Sequence, residues 1–562
     1  MLLTRLLAVL VLGVISLPSL IISLFVFSRS AFFSIEQRPY FALLFSPVVA
    51  SLFTFPILIF GIESVPFCLG VQSIFVMLIY INRKDSIIHE QTLSFDYRFL
   101  SLVAIVGILS FVFITKLELP LFTDSIHHYA YIDGLSRTNL SYSGLFGGFP
   151  FRFYHYGFHL FVAQAHYLTG IPISDLMLAS GVHILMLCAV GIFVIGLSST
   201  ESIDLALITA CIIALTGVFP SFALNWGKYP ALFSMALLQF PLSIMIRSLK
   251  HGSHVLRSQE TTLVGISTIV AGMAHWRSIL VIVAAGLVCC YCLLARKYDK
   301  LKMMNAIVSL VITFLAIIEL TKLNIPIANK GLWIIILSGS IVFCLRLTKR
   351  GINSQIVMPL LLFGLIFAAT KITMPLRWIQ FASLIDWPYY RISLFIPATV
   401  LLAVSLSEME CFSFAQSRKQ HLFWTVMLIS LILLPWKQRL VPGQQFILVG
   451  RDQMQAFNWI EQTYSNTEAK FLISGIGALD YYEATDSGGW IEPLTGIETE
   501  VLPVMIDFTS VPQRDLLCAT KPLIYIDHNN RLSSYNDFTL DTKLYHTLYN
   551  QGSVRIITPR CK

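Results

Sequence analysis

The chain has 562 residues, of which 56% are hydrophobic and only 12% charged, against about 25% charged in soluble domains. Most of its surface cannot face water, which excludes a soluble globular enzyme and points to a mainly α, polytopic α-helical membrane protein. A formal charge of +8 is no argument for nucleic acid, because the basic residues sit in short clusters between apolar segments, where a positive-inside bias accounts for them; the expected partner is the lipid bilayer.

Apolar runs that approach the length of a span, about 20 residues, fall near 5–28, 39–61, 63–82, 98–116, 174–197, 203–220, 230–246, 260–275, 278–295, 304–323, 331–346, 355–372, 391–409 and 422–436. They predict about 14 spans within a membrane domain of residues 1–436. Between them lie six basic clusters: Arg29 with Arg38, Arg83 with Lys84 and Arg98, Arg247 with Lys250 and Arg257, Arg296 to Lys302, Arg346 to Arg350, and Arg418 with Lys419. Placing all six in the cytoplasm puts both termini outside in a multi-pass plasma-membrane protein. Arg5 runs against that orientation. A cleaved signal peptide is the rival reading of 1–28, but its apolar stretch is long and cleavage would leave Arg29 and Arg38 outside, so an uncleaved first helix is expected.

"FYHYGFHLFVAQAHYLTG", 153–170, has the length of a further span, yet counting it as one would move every later basic cluster to the outer side. Arg152, His155, His159 and His166 recur at helical spacing and predict one polar stripe on an apolar helix, which suits a helix lying in the interface. Residues 117–173 then form a long external loop. From 437 the composition changes: an amphipathic helix followed by strands at "KFLISG", "KPLIYIDHN" and "SVRIITPRC" predicts an external α/β domain over 437–562. Cys518 and Cys561 lie in it and form either a disulfide or two free thiols. The other eight cysteines lie in or beside apolar segments and have no metal-ligand spacing. "GGWIEPLTG", 488–496, reads as a tight turn before it reads as a lid.

Chemistry is concentrated on the predicted outer side. In "FTDSIHHYAYIDGL", Asp124, His127, His128 and Tyr131 occupy i, i+3, i+4 and i+7 and project from one side of a helix. Asp124 can serve as a base toward a hydroxyl or, with His128, as a ligand to a divalent cation such as Mg or Mn, His128 being otherwise a proton carrier. The plainer reading is a solvated loop face. Lys228 and Tyr229 in "NWGKYPAL", His275 and Arg277 in "AHWRS", and Arg377, Asp386 and Arg391 in "PLRWIQFASLIDWPYYR" stand at three other outer helix ends. Cations there suit a phosphate, Arg by a bidentate fork and Lys as a point charge; snorkelling beside tryptophan is the alternative for each taken singly.

With these residues in view the chain resembles the GT-C class of polytopic glycosyltransferases: a long first external loop with an early acidic residue, a helix in that loop near "FRFYHYGFH", many further spans and a C-terminal external domain. "WGKYPAL", "AGMAHWRS" and "GGWIEPLTG" are similar to phrases of a poorly characterised bacterial and archaeal branch. The resemblance implies transfer of a sugar from a polyprenyl-phosphate donor to a glycan, lipid or protein acceptor, with Asp124 as base or metal-site residue. Asp124 stands between Thr123 and Ser125 rather than in a paired acidic motif, and "DWPYYR" only echoes the "WWDYG" of oligosaccharyltransferases. The rivals are a multi-span transporter, expected to carry its ionisable residues near the midplane, and a non-catalytic envelope assembly protein.

Overall fold

A computed structural model of the chain describes residues 2–28, 30, 32–83, 95–137, 155–217, 219–251, 258–297, 389, 392–408, 416–434, 440–478, 481–503, 511–529 and 543–561. Among these, seven helical segments are long and apolar enough to cross a membrane: Leu2–Ser28, Arg38–Phe60, Ile62–Ile81, Tyr97–Ile114, Ile173–Thr200, Ile203–Trp226 and Tyr229–Lys250. They form α1 (Leu2–Ser28), α2 (Arg38–Thr54) with α3 (Pro56–Phe60), α4 (Val65–Arg83), α5 (Tyr97–Ile114), then, beyond α6 (Thr123–Ser136) and α7 (Gly157–Thr169), α8 (Ile173–Thr200), α9 (Ile203–Cys211) and α10 (Tyr229–Lys250). The run 39–61 is broken where Pro56, which has no N–H to continue the ladder, opens α3. α9 runs into a π-helical turn, Ile212–Thr216, and a 3₁₀ turn, Ser221–Trp226.

Four more predicted spans are helical too, as α11 (Ser258–Ala274), α12 (Arg277–Lys297), α13 (Phe395–Glu408) and α14 (Gln416–Ile432). The runs 304–323, 331–346 and 355–372 lie outside the described residues. At the centre is α8, apolar on every side as a fully surrounded helix must be, packed against α1, α5, α9, α10 and α13.

Charged side chains mark the two ends of this bundle. At one end Arg98 binds Asp96 and, through Nη1 at 2.8 Å, Asp204, Arg247 donates to Gln37 at 2.8 Å, and Lys250 faces Glu201. At the other, the fully buried Arg5 donates to Asp175 at 3.1 Å and to the carbonyls of Ile114 at 2.6 Å and Glu118 at 3.1 Å. Arg5 is thus not misplaced: burial in a carboxylate and carbonyl pocket meets the hydrogen-bonding demand of its guanidinium. It also ties the end of α5 and the start of α8 to one end of the bundle, so the segment between them leaves and returns on the same side. α7 has 13 residues, about 20 Å of helix against an apolar layer of about 30 Å.

Toward the C-terminus α15 (Arg451–Tyr464) packs on a mixed sheet of β1 (Phe471–Ala478), β2 (Tyr481–Ala484), β3 (Thr499–Pro503), β4 (Leu523–Asp527), β5 (Tyr545–Gln551) and β6 (Val554–Pro559), with α16 (Ile491–Thr495) and α17 (Val511–Cys518). β1 lies parallel to β3 and β4, while β2, β6 and β5 add antiparallel pairs. A Cys518–Cys561 disulfide joins α17 to the residues after β6. The "GGW" stretch is a buried 3₁₀ turn leading into α16; Ser487 and Trp490 are both fully buried, as a packed turn rather than a free lid requires.

Candidate functional site

The site is built around the start of α6. In "NWGKY", Gly227 adopts φ +61°, and a Cβ there would stand 2.5 Å from Ser125 Oγ and 2.8 Å from the Leu121 carbonyl oxygen. Glycine is therefore required twice, for its left-handed backbone and for the close approach of α6. The approach delivers the next residue, Lys228, into an ion pair with Asp124. Their side chains are 28% and 22% exposed, so the pair is reachable from water.

One turn further along, His128 and Tyr131 face α7. A His128 Nδ1 to His159 Nε2 contact of 3.1 Å is a hydrogen bond in which one ring donates and the other accepts. The Tyr131 ring meets His159 edge-on with centroids 5.3 Å apart. Four residues before His159, His155 packs on His275 at 4.2 Å, and His275 stacks on Tyr389 at 5.0 Å. Gly157 permits this, since a Cβ on it would lie 3.0 Å from the Ala274 backbone. Arg277 follows within two residues of His275 and lies over Trp276.

The imidazoles are kept neutral. Burial drives His128 and His155 well below the ordinary imidazole range, reinforced in each by His159 and more weakly by Lys228; Arg277 adds to the effect on His155. Burial alone pushes His159 down to about 3. The His155–His275 ring contact joins the start of α7 to the α11–α12 junction, two helix ends far apart in sequence.

The predicted stripe on 153–170 is corrected in its direction. His159 is fully buried and turned with His155 onto α6 and the α11–α12 junction, where imidazoles find aromatic and imidazole neighbours; His166 faces the Ile171 carbonyl at 2.7 Å, closing its own helix end. Tyr229 is a buried ring stacked on Phe158 at 5.6 Å. Lys228 is committed to a carboxylate. His127 is half-buried on the Asp124 face. Arg152, Arg377, Asp386 and Arg391 lie outside the described residues. Tyr389 and the Gly227 approach escaped the sequence reading, although a glycine directly before a lysine at a helix start is a legible signal for close packing.

Among the described residues no group of three or more His, Cys, Asp or Glu side chains is arranged to hold a metal ion. The two expected ligands are divided, Asp124 to Lys228 and His128 to His159. No protein-family model matches this chain, and no curated protein matches it.

Proposed function

We propose that this is a GT-C-like membrane glycosyltransferase that moves a sugar from a polyprenyl-phosphate donor to an acceptor hydroxyl at the outer face of the membrane. The observation that carries the reading is the water-accessible Asp124–Lys228 pair backed by neutral imidazoles and Arg277. Asp124 takes the proton of the acceptor hydroxyl as its oxygen bonds to the anomeric carbon, and the bond from that carbon to the phosphate oxygen breaks. Once protonated, the carboxyl no longer holds Lys228, whose charge turns to the leaving lipid phosphate. Arg277 grips the same phosphate by its planar fork, and such stabilisation of developing charge is a large part of catalysis in transfer reactions. The Cys518–Cys561 bridge supports an extracytoplasmic placement, since disulfides persist in oxidising compartments.

The test is transfer from a radiolabelled polyprenyl-phosphate sugar by the purified protein in lipid. Asp124→Asn keeps the size but not the basicity, and turnover should fall roughly 100-fold, the scale of general-base catalysis. Undiminished turnover would remove Asp124 from the chemistry.

A further inference from the structure

α6 has two faces, and the reaction proposed above uses one. Asp124, His128 and Tyr131 face Lys228 and α7. On the opposite side Ile126, with Leu119, belongs to the same buried core as Phe457, Phe471, Trp490 and Tyr525, while Ile132 and Leu135 of the same helix belong to the core of the bundle. The helix that carries the candidate base is therefore shared between the bundle and the C-terminal domain.

Contact with the domain is made by the "GGW" turn. Fully buried Trp490 meets the Tyr129 ring edge-on at 5.5 Å. A Cβ on Gly489 would stand 2.7 Å from Ile126 Cδ1 and 2.7 Å from Ala484 Cβ, so any larger residue must turn the Ile126 side chain out of its seat on the turn and push against β2. The turn has no freedom of its own: the Asp486 carboxylate accepts the Gly488 N–H at 2.8 Å, and Ser487 donates to Asp527 at 2.5 Å and shares a 2.9 Å hydrogen bond with Tyr525. A rigid turn against the back of a helix fixes the front of that helix.

We propose that Gly489 and Trp490 are positioning residues through which the C-terminal domain holds α6, and with it Asp124 and His128, in register with Lys228 and α7. The catalytic consequence rests on the transferase reading; the hold on α6 does not. Trp490 Nε1 has no hydrogen-bond partner among the described residues, so the indole acts by its ring alone.

The experiment uses the full chain in lipid nanodiscs, with hydrogen exchange over residues 121–135 read alongside transfer kinetics. Tyr129→Ala, which leaves the domain's own residues intact, and Gly489→Val should each speed exchange there by about tenfold or more. In both, kcat should fall by up to about 100-fold, the cost of a displacement near 1 Å, with KM for the donor within about threefold. Trp490→Phe should leave exchange and kcat near wild type. If Gly489→Val also loosens residues 451–464, the domain itself has opened, and Tyr129→Ala decides. Unchanged exchange over 121–135 in Tyr129→Ala overturns the proposal, as does faster exchange with undiminished kcat. A wild-type chain that transfers no sugar, with exchange responding as described, sinks the transferase reading and leaves the hold on α6 standing.

Discussion

Side chains at residues 124 and 228 meet at a helix start where each is still partly open to water, so the pair can part without uncovering a buried charge. In the proposed reaction Arg277, which lies over Trp276 beside His275, is the residue assigned to the donor phosphate. Arg277→Ala should raise KM for the lipid donor while the protein still inserts, and Arg277→Lys should rescue only in part, because an ammonium group cannot form the fork; wild-type kinetics in the alanine variant would reduce Arg277 to an anchor. The histidines make a separate prediction for stability. Above the unfolded value of 6.5 both folded and unfolded chains hold His159 neutral, and below it only the unfolded chain takes up a proton until the folded value of about 3 is reached. Stability should therefore fall as pH drops below 6.5, by about 1.4 kcal/mol per pH unit for such a group. Thermal unfolding at pH 7.5 and pH 5 should show a shallower loss for His159→Gln than for wild type, and equal losses would mean that His159 charges within the fold.

Among elements, α6 and α7 depend on how the segment from Glu118 to Asp175 is anchored. Arg5 reaches both ends of it, and its carbonyl and carboxylate partners would be left unsatisfied by truncation. Arg5→Ala should cost about 3–5 kcal/mol, the range for breaking a buried ion pair, seen as a lower unfolding temperature and faster proteolysis between α6 and α8. A loss below about 1 kcal/mol, the level of a surface pair, would show that water replaces the guanidinium. Helical spacing revealed that α7 exists and which residues share its stripe, but spacing cannot say whether a polar stripe faces headgroups or another protein surface. His155 and His159 face protein because α6 and the α11–α12 junction bring matching aromatic and imidazole rings.

For the whole molecule the outstanding quantity is orientation. Arg38, Arg98, Arg247 and Lys250 gather at one end of the bundle, while Arg5, Lys228 and the C-terminal domain lie at the other; we propose from the positive-inside bias that the former end is cytoplasmic. A cysteine at exposed Asn466, beyond the end of α15, should react with a membrane-impermeant maleimide in intact cells. Reaction only after lysis would reverse the orientation and move the candidate site to the cytoplasm.

The sequence by itself determined the apolar helices, the composition shift near 437 and the residue types gathered at one end, because hydropathy and helical period are local and survive without knowledge of neighbours. Asp124, His128, Lys228, His275 and Arg277 were all legible as chemistry-bearing residues at helix ends. Only the tertiary structure decided who meets whom: Lys228 with Asp124, His128 with His159, Arg5 with Asp175, and Trp490 with Tyr129. Those pairings join residues from 31 to 361 positions apart in the chain, and the contacts that set them are close approaches of glycine backbones and buried rings, which no periodicity encodes.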